Sequence, residues 1–101
     1  MIRRRRYSVP LPDRAPLQLG ERTLVMGVVN VTPDSFSDGG CWQDPSRAAD
    51  HAMEMESAGA ALVDIGGEST RPGAVALSTQ AELDRVVPVL ERLAGCVRVP
   101  V

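Results

Sequence analysis

Two polar stretches of this sequence carry residue types that bind phosphates and metal ions. The first begins at Asn30 and continues through hydroxyl, carboxylate and glycine residues to Gly40. The second, residues 66–73, reads Gly-Gly-Glu-Ser-Thr-Arg-Pro-Gly. The amide oxygen of Asn30 is a neutral ligand that suits Mg²⁺, although an asparagine that only hydrogen-bonds its own loop is an equal alternative on position alone. The guanidinium of Arg71, beside hydroxyls and loop amides, suits phosphate oxygens, and a surface salt bridge is its alternative.

Each polar stretch directly follows an apolar run that is typical of a buried parallel strand. Residues 24–29 precede the first stretch and residues 62–65 precede the second, and both runs are rich in β-branched side chains. Ligands in α/β folds bind beyond the carboxyl ends of the strands. The sequence therefore predicts two loops that lie side by side over one site.

These two blocks closely resemble the signature blocks of dihydropteroate synthase, in content, order and spacing. The blocks are residues 30–40, Asn-Val-Thr-Pro-Asp-Ser-Phe-Ser-Asp-Gly-Gly, and residues 64–74, Asp-Ile-Gly-Gly-Glu-Ser-Thr-Arg-Pro-Gly-Ala. The resemblance covers about residues 17–101. It implies the amino-terminal third of a (β/α)8 TIM barrel, an α/β fold with an N-terminal hairpin and then strand, helix, strand, helix and strand. A complete barrel needs about 250 residues, so this chain alone is too short to form one.

The resemblance also implies roles for residues of the second block and for Asn30. Asn30 is expected to contact Mg²⁺ and pyrophosphate. Thr70 and Arg71 are expected to touch the pterin pyrophosphate and the aminobenzoate, and Pro72 to border the aminobenzoate pocket. The Ser69 hydroxyl belongs to the same anion-binding loop. Arg71 is thus expected to be both a substrate-binding and a catalytic residue.

In the first block, Phe36 and Asp38 are the candidate site residues. An exposed aromatic ring such as Phe36 needs a flat partner, and an aminobenzoate ring would be one. By resemblance, Asp38 stabilises positive charge that develops on a pterin, and a loop-capping aspartate is the alternative. For Asp64 and Glu68, structural hydrogen bonding is favoured over acid–base catalysis.

The implied reaction joins dihydropterin-methyl pyrophosphate to para-aminobenzoate and releases pyrophosphate. Mg²⁺ near Asn30, together with Arg71, would neutralise the leaving group, which is electrostatic catalysis more than proton transfer. Sulfonamides inhibit this family, and the full-length enzyme is expected to be a homodimer. The family's pterin-gripping residues would follow Val101, so we expect this chain alone to be inactive. It is also expected to be poorly soluble, because its strands leave unpaired edges and an uncovered barrel interior.

Two other hypotheses belong to different classes. A pterin-dependent methyltransferase of similar barrel fold is disfavoured by the intact residues 33–40 and by the Ser-Thr-Arg-Pro-Gly loop. A truncated, non-catalytic paralogue would be free to lose Asp38 or Arg71, yet the sequence contains both.

Composition excludes several other classes of protein. The net charge of -2 gives no reason to expect a nucleic acid or an anionic membrane as a partner. Cys41 and Cys96 lack metal-ligand spacing, and neither a signal peptide nor a long apolar span is visible. A cytoplasmic protein with reduced thiols is the expectation.

The remaining elements should hold the two loops in place. Residues 1–16, with the arginine run 3–6 and three prolines, are predicted to be a flexible tail rather than a nucleic-acid-binding arm. Residues 17–19 and 23–25 are predicted to form a short hairpin. The first helix should begin at Asp44-Pro45, pack through alanines, and end at Gly59, with Glu56 as a misfit on the apolar face.

The second helix is predicted to begin with a capping box and to present one apolar face. Thr79 and Glu82 have the spacing of the box. Leu83, Val86, Val87, Leu90 and Ala94 share the apolar face. Residues 97–101 should begin a third strand.

Overall fold

The computed structural model describes residues 3–32, 44–68 and 76–101. Along the chain the elements are strand β1 (Tyr7–Leu11), strand β2 (Arg14–Leu19), strand β3 (Met26–Asn30), helix α1 (Pro45–Ser57), strand β4 (Leu62–Gly66) and helix α2 (Thr79–Leu93). Both helices pack on the β3–β4 pair. The predicted strand, helix, strand, helix order is therefore confirmed. Within those described residues, no helix is long and apolar enough to cross a membrane.

Strands β3 and β4 form a parallel pair, as predicted, with a register that runs from Met26 opposite Leu62 to Asn30 opposite Gly66. Val29 and Val63 point toward the helices and are 1% and 2% exposed. The other face carries Met26 and Val28, and both side chains are exposed. In the described part of the chain, helices thus cover one face of the sheet and not the other, as expected for part of a barrel wall.

The amino-terminal hairpin begins ten residues earlier than the sequence predicted, at Tyr7. Strands β1 and β2 pair antiparallel, with Tyr7 opposite Leu19, and turn at Asp13, whose φ is 56°. The predicted hairpin of residues 17–19 and 23–25 is wrong, and so is a flexible tail across residues 7–16. The three prolines suggested a broken chain, but a two-stranded ribbon has only edge strands, where a missing N–H is tolerated.

Helix α1 begins where the sequence predicted. The Asp44 carboxylate accepts a hydrogen bond of 2.9 Å from the Ser46 amide, and Pro45 is the first helical residue. Ala48, Ala49 and Ala52 are buried in the core, and small side chains let the helix lie close to the sheet. After the helix, Gly59 has the positive φ of 109° that ends many helices.

The misfit Glu56 has a structural explanation. Its Oε2 atom accepts hydrogen bonds from the backbone amides of Arg98, at 2.6 Å, and Val99, at 2.9 Å. The amides of Val99 and Arg98 lower the pKa of this carboxyl from its ordinary value. The Val63 amide also donates to the Pro100 carbonyl at 2.9 Å. Residues 97–101 therefore lie beside β4, where a third parallel strand was predicted, but they do not form a strand.

Helix α2 differs from the prediction in its cap and in its packed face. Ser78, not Thr79, is the N-cap, and its hydroxyl accepts a 3.1 Å hydrogen bond from the Ala81 amide. The buried residues are Val89 and Leu93. Leu83, Val87 and Leu90 of the predicted apolar face are instead exposed. The packed face is rotated about a quarter turn from the apolar stripe, because α1 and β4 contact the helix from that side.

Candidate functional site

The carboxyl ends of β3 and β4 are direct neighbours. Asn30 and Gly66, the last residues of the two strands, are register partners. The Val31 amide donates a 2.7 Å hydrogen bond to the Gly66 carbonyl, so pairing continues one residue beyond β3. The two polar stretches therefore begin side by side at one edge of the sheet, which confirms the predicted common origin of the loops. We refer to residues 30–32 and 66–68 as the loop-bearing edge.

Gly66 leaves space for the Asn30 amide. A Cβ atom on Gly66 would lie 3.2 Å from Asn30 Oδ1, closer than an ordinary van der Waals contact. Asn30 itself is exposed at the strand end. An amide oxygen here, with a small neighbour and access to ligand, fits the ligand chemistry of Mg²⁺. The position and chemistry of Asn30 are compatible with the predicted metal contact, which stays a prediction.

The residue after β4 is held against helix α2. Gly67 is buried, and a Cβ atom on it would lie 2.9 Å from Val86 Cγ2 and 3.1 Å from the Glu82 carbonyl oxygen. The Arg85 guanidinium donates a 3.0 Å hydrogen bond to the Gly67 carbonyl. The root of the second polar stretch therefore rests directly on α2. Arg85 lies outside the apolar face predicted for this helix, and no sequence signal marked the contact.

Two acidic residues near the edge are exposed. Asp64 is the register partner of Val28 and lies on the same face of the sheet as Asn30. Glu68 directly follows Gly67. The preference for structural hydrogen bonding over acid–base catalysis at these two residues stays a prediction.

The other predicted site residues fall outside the described ranges. Phe36 and Asp38 lie within residues 33–43, and the second set lies within residues 69–75: Ser69, Thr70, Arg71 and Pro72. The roles assigned to them from the sequence stay predictions.

A cleft at the opposite end of the sheet has a different character. It has a volume of about 300 Å³ and lies between the hairpin turn at Pro12, the end of α2 at Leu93, and Val99. Its described lining is mostly apolar. Because α/β barrels bind substrates at the carboxyl ends of their strands, we assign the functional site to the loop-bearing edge and not to this cleft.

The parallel strands, the covering helices and the polar edge define a (β/α) barrel protein, of which this chain forms the amino-terminal part. The model of the family described as "Pterin binding enzyme" matches residues 26–101. The chain belongs to this family.

Individual relatives support the same assignment. The dihydropteroate synthase of Bacillus subtilis (strain 168) is 54% identical over 85 residues, which are 84% of this chain and 30% of that protein. A Yersinia pestis dihydropteroate synthase structure with a sulfonamide drug superposes with a TM-score of 0.79 at 56% identity, covering 92% of this chain and 33% of that one. The Xanthomonas albilineans dihydropteroate synthase with 4-aminobenzoic acid superposes with a TM-score of 0.72 at 53% identity, covering 84% and 31%.

These comparisons confirm the resemblance and the barrel fold inferred from the two sequence blocks. The chain spans about a third of the length of the relatives it matches.

Proposed function

We propose that this chain supplies the loop-bearing, amino-terminal part of a dihydropteroate synthase, a transferase of folate biosynthesis. The pairing of Asn30 with Gly66 carries the proposal, because it starts both polar stretches from one edge of the sheet. The identity of 54% to the Bacillus subtilis dihydropteroate synthase supports the same activity.

The proposed reaction is a displacement at the methylene carbon of 6-hydroxymethyl-7,8-dihydropterin pyrophosphate. The amine of para-aminobenzoate forms the new C–N bond, the C–O bond breaks, and pyrophosphate leaves with the electron pair. The amine nitrogen then loses a proton to solvent. Since the amine is already a nucleophile, the protein's main task is to bind and orient two substrates and to stabilise the leaving diphosphate.

Asn30 and Arg71 are proposed to act on the diphosphate. Asn30 offers an oxygen ligand at the strand end, and Arg71 lies four residues beyond Gly67 in the second stretch. The Arg71 guanidinium would pair with phosphate oxygens, with the Ser69 and Thr70 hydroxyls beside it. Mg²⁺, when bound at Asn30, supplies additional positive charge to the leaving group.

The aminobenzoate side of the site is proposed to involve Phe36 and Pro72, with Asp38 facing positive charge that develops on the pterin. The Xanthomonas albilineans relative was solved with 4-aminobenzoic acid, and the Yersinia pestis relative with a sulfonamide drug. Similar sequence blocks in this chain support the same ligand classes here. The proposal extends to a cytoplasmic location, which suits the free thiol of Cys96, and to a homodimer of the full-length enzyme.

A chimera tests the proposal. This chain replaces the matching 85-residue segment of the Bacillus subtilis relative, so that its loop-bearing edge meets a complete barrel. We expect the purified chimera to form dihydropteroate from the two substrates, as measured by product chromatography. The 101-residue chain by itself should form none.

Arg71→Met in the chimera should remove most of the activity, whereas Arg92→Met, on the exposed surface of α2, should leave it unchanged. A folded chimera without activity would contradict the proposed function. Activity that persists in Arg71→Met would contradict the role of Arg71.

A further inference from the structure

Helix α2 contributes a charged donor to the loop-bearing edge. Arg85 is half-buried, and its Nη1 atom lies 3.0 Å from the Gly67 carbonyl oxygen. Hydrogen bonds from a charged donor are stronger and shorter than neutral ones. Gly67 has no side chain between its backbone and α2, so the guanidinium reaches the carbonyl while Val86 packs against the glycine.

Two consecutive carbonyls of this edge are held by donors from different elements. The Gly66 carbonyl accepts from the Val31 amide at 2.7 Å, and the Gly67 carbonyl accepts from Arg85. The first bond ties the segment to the exit of β3, where Asn30 lies. The second ties it to α2. The two peptide groups that flank the Gly67 Cα atom are thereby each oriented by one hydrogen bond, at the start of the second polar stretch.

We propose that Arg85 is a positioning residue for diphosphate binding. By holding the Gly67 carbonyl on α2, it sets where the second polar stretch begins relative to Asn30. This inference rests on the proposed function, because it assigns the diphosphate to the same edge. Arg85 acts through Gly67 and does not itself touch the substrate.

The consequence is specific to one substrate. Without the Arg85 hydrogen bond, the Gly67 carbonyl is no longer held on α2. The distance between the ends of β3 and β4 is then less well fixed. A ligand that contacts both strand ends must restore this distance, which lowers its binding affinity. The diphosphate substrate should bind about tenfold more weakly in the absence of this bond, which corresponds to the loss of one charge-assisted hydrogen bond. The aminobenzoate KM should change much less.

The experiment uses the chimera with Arg85→Met, Arg85→Lys and the control Arg92→Met. Arg92 lies seven residues further along α2 and is exposed. It has the same charge and lies on the same helix as Arg85, but it is not the residue that contacts Gly67. Binding of inorganic pyrophosphate is measured by titration calorimetry, the KM of each substrate by product formation, and Tm by circular dichroism.

We expect Arg85→Met to weaken the binding of pyrophosphate about tenfold and to raise the KM of the diphosphate substrate by a similar factor. Arg85→Lys, which keeps a donor, should recover most of the affinity, and Arg92→Met should match the unsubstituted chimera. If Arg85→Met does not fold, Arg85→Gln, which is polar but too short to reach Gly67, takes its place.

Three results would overturn the inference. The first is pyrophosphate affinity within twofold of the unsubstituted chimera in Arg85→Met. The second is an equal rise in both KM values with a lower Tm, which would indicate a purely structural role. The third is an unsubstituted chimera that does not bind pyrophosphate. A chimera that binds pyrophosphate but forms no dihydropteroate would contradict the proposed function alone, and the binding measurements would still decide the role of Arg85.

Discussion

The two ends of the β3–β4 pair are built from different chemistry. At the carboxyl end, Gly66 lies close to the Asn30 amide and Gly67 lies close to helix α2. The side chains of Asn30 and Glu68 are exposed there, whereas Thr32 is buried. At the amino end, Val25 accepts from the Ala61 amide at 2.8 Å, and the Val63 amide donates to Pro100. At the carboxyl end, glycines leave space beside Asn30 and α2. At the amino end, backbone hydrogen bonds join the strands to neighbouring segments.

The amino end also joins segments that are distant in sequence. Arg14 of the hairpin donates to the Arg98 carbonyl, and Glu56 of α1 accepts from the amides of Arg98 and Val99. These contacts connect β2, α1 and residues 97–101. By analogy with other α/β barrels, we expect the carboxyl end to serve ligand binding and the amino end to serve stability. Substitutions of the exposed residues at the loop-bearing edge should therefore affect activity, and substitutions at the amino end should affect stability.

The largest expected effect is on activity, at the carboxyl end. Asn30→Ala in the chimera should lower kcat/KM about 100-fold, roughly 3 kcal/mol of transition-state stabilisation, since a preorganised polar contact to the leaving group is lost. Tm should stay within about 2 °C, because Asn30 is exposed. Steady-state kinetics and thermal melts measure both, and a loss below tenfold would remove Asn30 from the site.

The second effect is on stability, at the open end of the amino-terminal hairpin. Gly20 has a φ of 97°, and a Cβ atom there would overlap the Arg5 carbonyl. Gly20→Ala should therefore lower the free energy of unfolding of the chimera by about 2–3 kcal/mol, from backbone strain and steric overlap together. Urea unfolding measures this, and kcat should not change.

Gly59→Ala is the matched control for this substitution. Its φ of 109° is similar, but a Cβ atom there meets nothing within 4 Å. Only the backbone cost, about 1–2 kcal/mol, should remain. Equal losses in the two variants would show that the overlap with Arg5 does not matter.

The third effect concerns the start of α2. Ser78→Ala should lower the free energy of unfolding by about 1 kcal/mol, because its hydroxyl accepts from the Ala81 amide. Thr79→Ala, which alters the first residue inside the helix, should change stability by less than about 0.5 kcal/mol. The reverse order in urea unfolding would restore the cap predicted from the sequence.

The smallest effect is a pH dependence at the amino end. Because the folded state lowers the Glu56 pKa, its stabilisation is fully present above the unfolded pKa of about 4.3 and is lost as pH falls through the lower folded pKa. The glutamine of Glu56→Gln cannot ionise, so this variant lacks the stabilisation at every pH. Its urea midpoint should therefore fall further below that of the unsubstituted chimera at pH 7 than at pH 3. A difference in urea midpoint that is the same at both pH values would argue against stabilisation by the ionised Glu56 carboxylate.

Local patterns predicted those features that depend on neighbours in sequence. The apolar runs before Asn30 and Gly66 indicated a parallel pair, and Asp44-Pro45 marked the start of α1, because strand burial and helix capping act within a few residues. The hairpin was not predicted correctly from local sequence patterns. Three prolines argue against a central strand, and nothing local indicates that both strands of the ribbon are edges.

Features that depend on which surfaces meet could not be read from the chain. Leu83 and Val89 are equally apolar, yet only Val89 is buried, since the position of α1 and β4 selects the face of α2. Likewise, the sequence did not explain a charged residue at position 56 on the apolar face of α1. The structure explains it, because the backbone amides of Arg98 and Val99 donate hydrogen bonds to the Glu56 carboxylate.

The sequence by itself determined the family and the order of the elements, because the two long polar blocks and the periodicity of their flanks are carried by contiguous residues. Only the tertiary structure decided that Asn30 stands beside Gly66 and that Arg85 reaches the Gly67 carbonyl. Such contacts join residues 18 to 36 positions apart, and their geometry is set by strand register and helix packing, which no short stretch of sequence encodes.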